Sequence, residues 1–407
     1  MPSPASAETA TLAPPLASPV KPAIPQPPKL TGRHGLGRTT LHLVDHDRPD
    51  PWKPDRPREL MATITYPAAS VKQFHRAPWL SKPVADLIDK TLDPTTTPPG
   101  VIDWAAIRAG SHIDAPVKRP RHGLPVILVS GGYPSAREFN TALVEGLADR
   151  GYAVVTVDHT YESPVVEFPG GRVEYGPEHI SIDPVTMKKT IDARVADISF
   201  LLDALSALGS KHPRLPYGLR DGLNLSKVGM VGHSYGGYAA GESMYNDPRI
   251  LAGVNLDGIM AHGLVEPYEL GNVAEHGLDR PFMLIGAQFV HPETGEVYDI
   301  NHLPDGPGNP SWREFWVNQR GWKRDFTLIG SAHNSFDDSQ WLFPQLIRAL
   351  RLPPHTYAQR IGRIDPARSI AVQHTYIAAF FNHHLRGRGG QLLNGPSRKH
   401  PEMRFVP

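Results

Sequence analysis

Residues 228–237, Val-Gly-Met-Val-Gly-His-Ser-Tyr-Gly-Gly, constrain this chain more than any other stretch. Val228, Met230 and Val231 read as the end of a buried strand. Gly232-His-Ser-Tyr-Gly236 matches Gly-x-Ser-x-Gly, and Tyr238, Ala239, Ala240 and Met244 follow at helical spacing. A turn this tight between strand and helix leaves room only for glycine at its ends. It puts the central serine in a strained conformation, with its hydroxyl above the sheet. The helix N-terminus behind Ser234 favours negative charge developing there. Gly-x-Ser-x-Gly alone is common, because Gly and Ser are common. The hydrophobic strand before it and the small-residue helix after it make this a nucleophile elbow rather than a glycine-rich turn.

The rest of the chain supplies a frame for that turn. Residues 1 to about 30 are rich in Pro, Ala and Ser and read as a disordered tail. Residues 31–407 read as one domain. Segments 39–45 and 60–66 alternate as strands do and are expected to pair antiparallel at a sheet edge. Segment 67–119 reads as an irregular excursion, apolar enough at Trp79, Leu80, Trp104 and Ile107 to pack on something and cover part of the site. Continuous apolar runs at 124–129, 152–157, 251–256, 281–286 and 326–329 read as buried strands. Ser135 with Glu138 has the form of a capping box for the helix after the first of these. Residues 165–175 read as a hairpin about Gly170-Gly171. Residues 183–208 and 367–385 read as long helices. Strands and helices alternate, which predicts a mostly parallel, doubly wound sheet with helices on both faces.

Composition excludes several functions. The 407 residues carry a formal net charge of +1 and no basic cluster, so no nucleic-acid partner is expected. Cysteine is absent, which rules out disulfides, thiolate metal sites and cysteine nucleophiles. No apolar run is long enough to span a membrane. The N-terminus lacks the pattern of a signal peptide, so the chain as written reads as cytoplasmic; a secreted mature form would look the same, and Ala5-Ser6-Ala7 has the small residues of a cleavage site. His383-His384 point apart on a helix, and no Gly-x-Gly-x-x-Gly follows a first strand. No metal or other cofactor is therefore expected.

A serine nucleophile needs a base, and the base needs an orienting carboxylate. In α/β-hydrolases these follow the serine in the order acid, then His. Among twenty histidines, His333 stands out, on a loop with Gly330, Ser331 and Ala332 just past the last strong strand. His262, His276, His291 and His302 lie in less ordered contexts. For the acid, strand-end position favours Asp257, with Asp279, Asp299 and Asp305 as alternatives after the following strand. The oxyanion hole needs two backbone N–H groups. Tyr235, after the nucleophile, supplies one; Tyr133, in the loop Gly131-Gly132-Tyr133, is the choice for the other.

These motifs together resemble the platelet-activating-factor acetylhydrolases of the plasma type and their bacterial relatives. That family carries a Gly-His-Ser-x-Gly-Gly elbow, a Leu-Asp acid and a Gly-Ser-x-His-x-x-Phe-x-Asp base segment. The counterparts here are the elbow at 232–237, Leu256-Asp257 and Gly330-Ser-Ala-His-Asn-Ser-Phe-Asp-Asp338, within a similarity spanning about 124–350. The resemblance implies an α/β-hydrolase fold with insertions over the site, and Asp257 as the acid. It also implies serine ester hydrolysis, on short-acyl or oxidised phospholipids or other lipophilic esters, with transient contact to lipid surfaces. One departure is visible: the family commonly has Ser-His-Gly in the first oxyanion loop, where this chain has Ser130-Gly131-Gly132. Rival readings are an acyltransferase, cyclase or amide hydrolase on the same triad, a non-catalytic binding protein on a hydrolase scaffold, and a cutinase-type polyester hydrolase. The insertions bearing Trp79, Leu80 and Trp104, and Trp312, Phe315, Trp316 and Trp322, read either as cover for sheet and helix surface or as a hydrophobic mouth above Ser234.

Overall fold

The computed structural model describes residues 21–30, 32, 34–208, 215–262, 269–304 and 309–407. Leu36–Pro49 (β1) and Pro57–Pro67 (β2) form the expected antiparallel pair, with Thr39 opposite Ile64 and Leu41 opposite Ala62. They do not end the sheet. Segment 67–119 supplies Arg76–Pro78 (β3), the helix Lys82–Thr91 (α1) and Arg108–Ile113 (β4), and β4 and β3 continue the sheet beyond β1. These strands, Arg-Ala-Pro and Arg-Ala-Gly-Ser-His-Ile, carry too few apolar residues to show a period in the sequence.

Next come Leu124–Ser130 (β5), the helix Thr141–Ala148 (α2) and Ala153–Asp158 (β6). Val165–Glu167 (β7) and Val173–Tyr175 (β8) form the expected hairpin, and Pro184–Ser206 (α3) is the expected long helix. Leu223–His233 (β9) leads into Tyr235–Asn246 (α4), followed by Ile250–Leu256 (β10). Two small antiparallel additions, Ala261–His262 (β11) with Glu269–Leu270 (β12) and Gln288–Val290 (β14) with Val297–Asp299 (β15), flank Phe282–Gly286 (β13). Asn272–His276 (α5), Pro310–Asn318 (α6), Lys323–Leu328 (β16), Ser339–Leu350 (α7), Ala358–Ile361 (α8), Pro366–Arg386 (α9) and Met403–Val406 (β17) complete the chain.

The main sheet has eleven strands in the order β17-β16-β13-β10-β9-β5-β6-β2-β1-β4-β3. Strands β16, β13, β10, β9, β5 and β6 run parallel. Side chains alternate across the sheet as strand geometry requires. In β5, Val126 and Leu128 join one core with Ile191 and Leu202 of α3, Tyr238 of α4 and Trp312 of α6. Ile127 and Val129 join the opposite core with Leu147 of α2 and Tyr376 and Phe381 of α9. Parallel strands buried on both faces explain the unbroken apolar runs.

Three further expectations change. The Ser135–Glu138 capping box does not form: Ser135 Oγ donates to the Ala136 carbonyl. The first N–H groups of α2 go instead to a distant carboxylate, Asp338, at 3.0 Å from Thr141 and 2.9 Å from Ala142. The expected tail over residues 1–30 does not extend through its last ten residues. Its first twenty residues lie outside the described ones, but Ala23 exchanges backbone hydrogen bonds with Val101 and Asp103, and Gln26 pairs with Gln345. Those polar contacts offset the ordering cost of a Pro-rich strap. Finally, Trp79, Trp104 and Trp312 are 0%, 4% and 0% exposed, so these tryptophans are core and not a mouth. Trp79 and Trp104 pack with Trp341 and Leu342 of α7 in a third core.

Candidate active site

Ser234 sits between β9 and α4 with φ 55° and ψ −128°, a conformation that costs an L-residue free energy. Packing enforces it. A Cβ on Gly232 would fall 2.0 Å from the Gly236 carbonyl oxygen, and one on Gly236 would fall 2.0 Å from that of Ser130. Only glycine fits at either end, as the sequence implied. The Ser234 N–H donates to the Leu256 carbonyl at 2.8 Å, which ties the elbow to the end of β10.

Asp257 follows directly on β10, also at positive φ (59°). Its Oδ2 is 2.7 Å from His333 Nδ1, and its Oδ1 accepts the Ala287 N–H at 2.8 Å. The next residue must be glycine, since a Cβ there would stand 2.0 Å from the Ser234 carbonyl oxygen. Asn255, fully buried, both accepts from the Gly258 N–H and donates to the Gly258 carbonyl. Trp312 Nε1 donates to that same carbonyl at 2.6 Å. Trp312, which the sequence left as cover or mouth, is thus a prop beneath the Asp257 turn.

His333 closes the chain of contacts: its Nε2 lies 3.0 Å from Ser234 Oγ. It opens a single turn of 3-10 helix, His333–Phe336, held by Ala332 N–H to Ser335 Oγ and by Ser335 Oγ to the Ile361 carbonyl. The buried neighbour of the serine, His233, donates through Nε2 to the His333 carbonyl at 2.8 Å. Burial, with the His333 charge beside it, lowers the His233 pKa to about 3, so it stays a neutral donor. Burial also works to lower the His333 pKa, but the hydrogen bond and charge of Asp257, helped by Asp337, outweigh it and raise the pKa above the ordinary imidazole value. With Nδ1–H donated to Asp257, Nε2 is left to accept the serine proton. The His333 side chain is half-exposed, so this contact chain opens to solvent.

Asp338, the last residue of the base segment, is fully buried and accepts from Trp79 Nε1 at 2.9 Å as well as from α2. It fastens the His333 loop to the helix that follows the first oxyanion loop. In that loop, a Cβ on Gly132 would stand 3.3 Å from Ser234 Cβ, so Gly132 abuts Ser234. Tyr235 is the first residue of α4, and its N–H has no acceptor among the described residues.

The remaining candidates lie elsewhere. Asp279 pairs with Arg320 on the surface, and Asp299 with Gln288 and Arg404. Asp305 falls outside the described residues. His262 meets Tyr238, His276 stacks on Tyr245, His291 accepts from nearby backbone N–H groups, and His302 pairs with Asp325 under Trp316. His383 bonds the Gly389 carbonyl at the end of α9. Sequence reasoning gave no role to His233, Asn255 or Asp338 and read Trp312 only as cover or mouth. His233 and Asp338 stood inside the elbow and base motifs, whereas Asn255 carried no signal. Among the described residues no group of three His, Asp or Glu is placed to hold a metal ion, and no helix is long and apolar enough to cross a membrane.

Comparison with known proteins gives a consistent picture. The family described as platelet-activating factor acetylhydrolase, isoform II, matches residues 208–390. The chain is 30% identical over 300 residues to a probable 1-alkyl-2-acetylglycerophosphocholine esterase of Arthroderma benhamiae, covering 70% of this chain and 67% of that protein. It is 20% identical over 294 residues to the platelet-activating factor acetylhydrolase of Gallus gallus, covering 66% and 63%. The chain thus spans about two thirds of the length of the curated relatives it matches. Among solved structures, a ferulic acid esterase from Streptomyces cinnamoneus is 34% identical with a TM-score of 0.72, covering 94% of this chain and 99% of that one. The fold is that of an α/β-hydrolase.

Proposed function

Because this chain belongs to the platelet-activating factor acetylhydrolase isoform II family, we propose that it is a serine carboxylic-ester hydrolase working through an acyl-enzyme on Ser234. The observation that carries this reading is the unbroken contact chain Ser234–His333–Asp257, 3.0 and 2.7 Å. His333 Nε2 takes the proton of Ser234 as Oγ attacks the ester carbonyl, and Asp257 holds and stabilises the imidazolium. The Tyr133 and Tyr235 N–H groups receive the oxyanion. The imidazolium then protonates the departing alkoxide. A water deprotonated by His333 attacks the acyl-enzyme, releasing the acid and free Ser234.

For substrate we favour short-acyl phospholipids or similar lipophilic esters. Two exposed apolar rims support this. Ile180, Ile182 and Val185 surround the start of α3, where the Met187 carbonyl accepts from the Tyr235 hydroxyl at 2.5 Å. Phe289, Val290 and Val297 lie on the β14–β15 hairpin, which begins one residue after the backbone donor to Asp257. A second reading, an esterase for aromatic acyl groups, is favoured by the near-complete alignment with the ferulic acid esterase. The test is hydrolysis of p-nitrophenyl esters of graded chain length, sn-2 short-acyl phospholipids and methyl ferulate. Highest kcat/KM on the phospholipids upholds the first reading, and highest on methyl ferulate transfers it to the second. No turnover of any ester, with Ser234 unreactive to a fluorophosphonate, contradicts both.

A further inference from the structure

The loop after β5 rests on a buried guanidinium. Arg194, on α3, is 1% exposed and faces Ser130, Gly131 and Gly132. Its Nη1 donates to Ser130 Oγ at 3.1 Å and to the Gly131 carbonyl at 2.6 Å. Its Nη2 donates to the Gly132 carbonyl at 3.0 Å and to Glu162, and its Nε to both Glu162 oxygens at 2.8 and 2.9 Å. A guanidinium has five N–H donors in a fixed fork, and all five are engaged.

Ser130 is held a second time. Its Oγ is 3.2 Å from His159 Nε2, and His159 Nδ1 is 2.9 Å from Asp197 Oδ2. Ser130, His159 and Asp197 have the composition of a triad but are 0%, 3% and 0% exposed. Burial lowers the His159 pKa. The neutral ring therefore gives Nδ1–H to Asp197 and accepts the Ser130 proton at Nε2, while Ser130 Oγ accepts from Arg194. No substrate reaches this group; it is a clamp on the first residue of the loop.

Peptide geometry carries the consequence. In a planar trans peptide the N–H points opposite to the C=O. Two successive carbonyls, of Gly131 and Gly132, point into Arg194, so the N–H groups of Gly132 and Tyr133 point away from it. Neither has an acceptor among the described residues. Gly132 is also the residue that abuts Ser234. The Arg194 guanidinium further lies 5.3 Å from the ring centre of Tyr235, whose N–H is the other donor.

We propose that Arg194, locked by Glu162, is a positioning residue that aims the Gly132 and Tyr133 N–H groups at the oxyanion of the ester carbonyl. This rests on Ser234 being the nucleophile. A lysine is a point charge without the fork and cannot bridge both carbonyls and Glu162.

The test compares wild type, Arg194→Lys, Arg194→Met/Glu162→Met and Ser234→Ala on p-nitrophenyl acetate and its thionoester, with sites titrated by fluorophosphonate. Joint replacement of a buried pair by apolar residues of similar volume is often neutral for folding, so the double variant keeps the test open if the single one unfolds. Its kcat per titrated site on the oxyester should fall about 10²-fold, the usual cost of losing an oxyanion donor, with KM little changed. Sulfur is a poor hydrogen-bond acceptor, so the preference for oxyester over thionoester should shrink in the double variant and be intermediate in Arg194→Lys. A purely structural role would lower the number of titratable sites and leave that preference intact. Unchanged kcat and preference per site overturn the proposal. Turnover by Ser234→Ala would instead overturn the nucleophile assignment on which it rests.

Discussion

Ser234 is held at φ 55° by neighbours that admit no side chain, and that strain places its hydroxyl against His333. Ser234→Ala should keep the fold, as judged by circular dichroism and melting temperature, and abolish ester turnover. Asp257→Asn removes both the orienter and the counter-charge of the base; the equivalent change in a serine protease lowers kcat about 10⁴-fold, and a similar loss is expected here. The pH dependence follows from His333. Its pKa is raised, and only the neutral ring can take the serine proton. So kcat/KM should climb with pH through an inflection above about 6.5, the free imidazole value, and Asp257→Asn should move that inflection down. The sign for stability is opposite: a raised folded-state pKa favours the fold below the unfolded value, and the benefit is lost as pH rises through the folded one. Ser234 and His333 were legible from glycine-rich turns after strands, whereas Asp257 shared its candidacy with Asp279, Asp299 and Asp305 until the Leu-Asp motif of the resemblance favoured it. The tilt of the oxyanion loop was not legible, because it depends on Arg194, some 60 residues away in sequence.

At the scale of elements, the site is held by contacts that cross the sequence. Asp338 joins Trp79, the start of α2 and the end of the His333 turn. Asp338→Ala would leave three N–H donors unpaired, at about 1–3 kcal/mol for each of the two that are buried. A markedly lower denaturation midpoint, with weaker activity in the fraction still folded, is the expected outcome. Trp312→Ala should cost about 3–5 kcal/mol as a core truncation and also free the Gly258 carbonyl beside the acid. Loss of stability together with kcat, the same for short and long acyl chains, would agree with its place in the core. Chain-length-selective loss of KM with an unchanged melting temperature would contradict it. Local pattern announced the helices and parallel strands, where burial on both faces leaves a long apolar run. It did not announce β3 and β4, which are only three and six residues long. It also misassigned the α2 cap, because Ser135 and Glu138 match the local motif while the actual acceptor lies some 200 residues away.

Over the whole molecule, His333 is the exposed member of the Ser234–His333–Asp257 chain, exposed apolar side chains gather at the start of α3 and on the β14–β15 hairpin, and Trp79, Trp104 and Trp312, which suggested a mouth, are committed to the cores. Tryptophan in a sequence signals burial without saying what it is buried against, which is why cover and mouth both stood open for Trp79, Trp104 and Trp312 until the structure chose cover. The rims predict that Val185→Ser with Phe289→Ser should weaken hydrolysis of vesicle-borne short-acyl phospholipid far more than that of soluble p-nitrophenyl acetate, with the melting temperature little changed. Equal effects on both substrates would remove the rims from substrate capture. The central claim is that Ser234 forms the covalent intermediate. The most direct measurement is peptide mapping by mass spectrometry after reaction with a fluorophosphonate, run beside ester turnover. The account predicts one modified residue, Ser234, turnover lost in proportion to modification, and neither signal in Ser234→Ala; modification of a different residue, or turnover that survives full modification of Ser234, would contradict it.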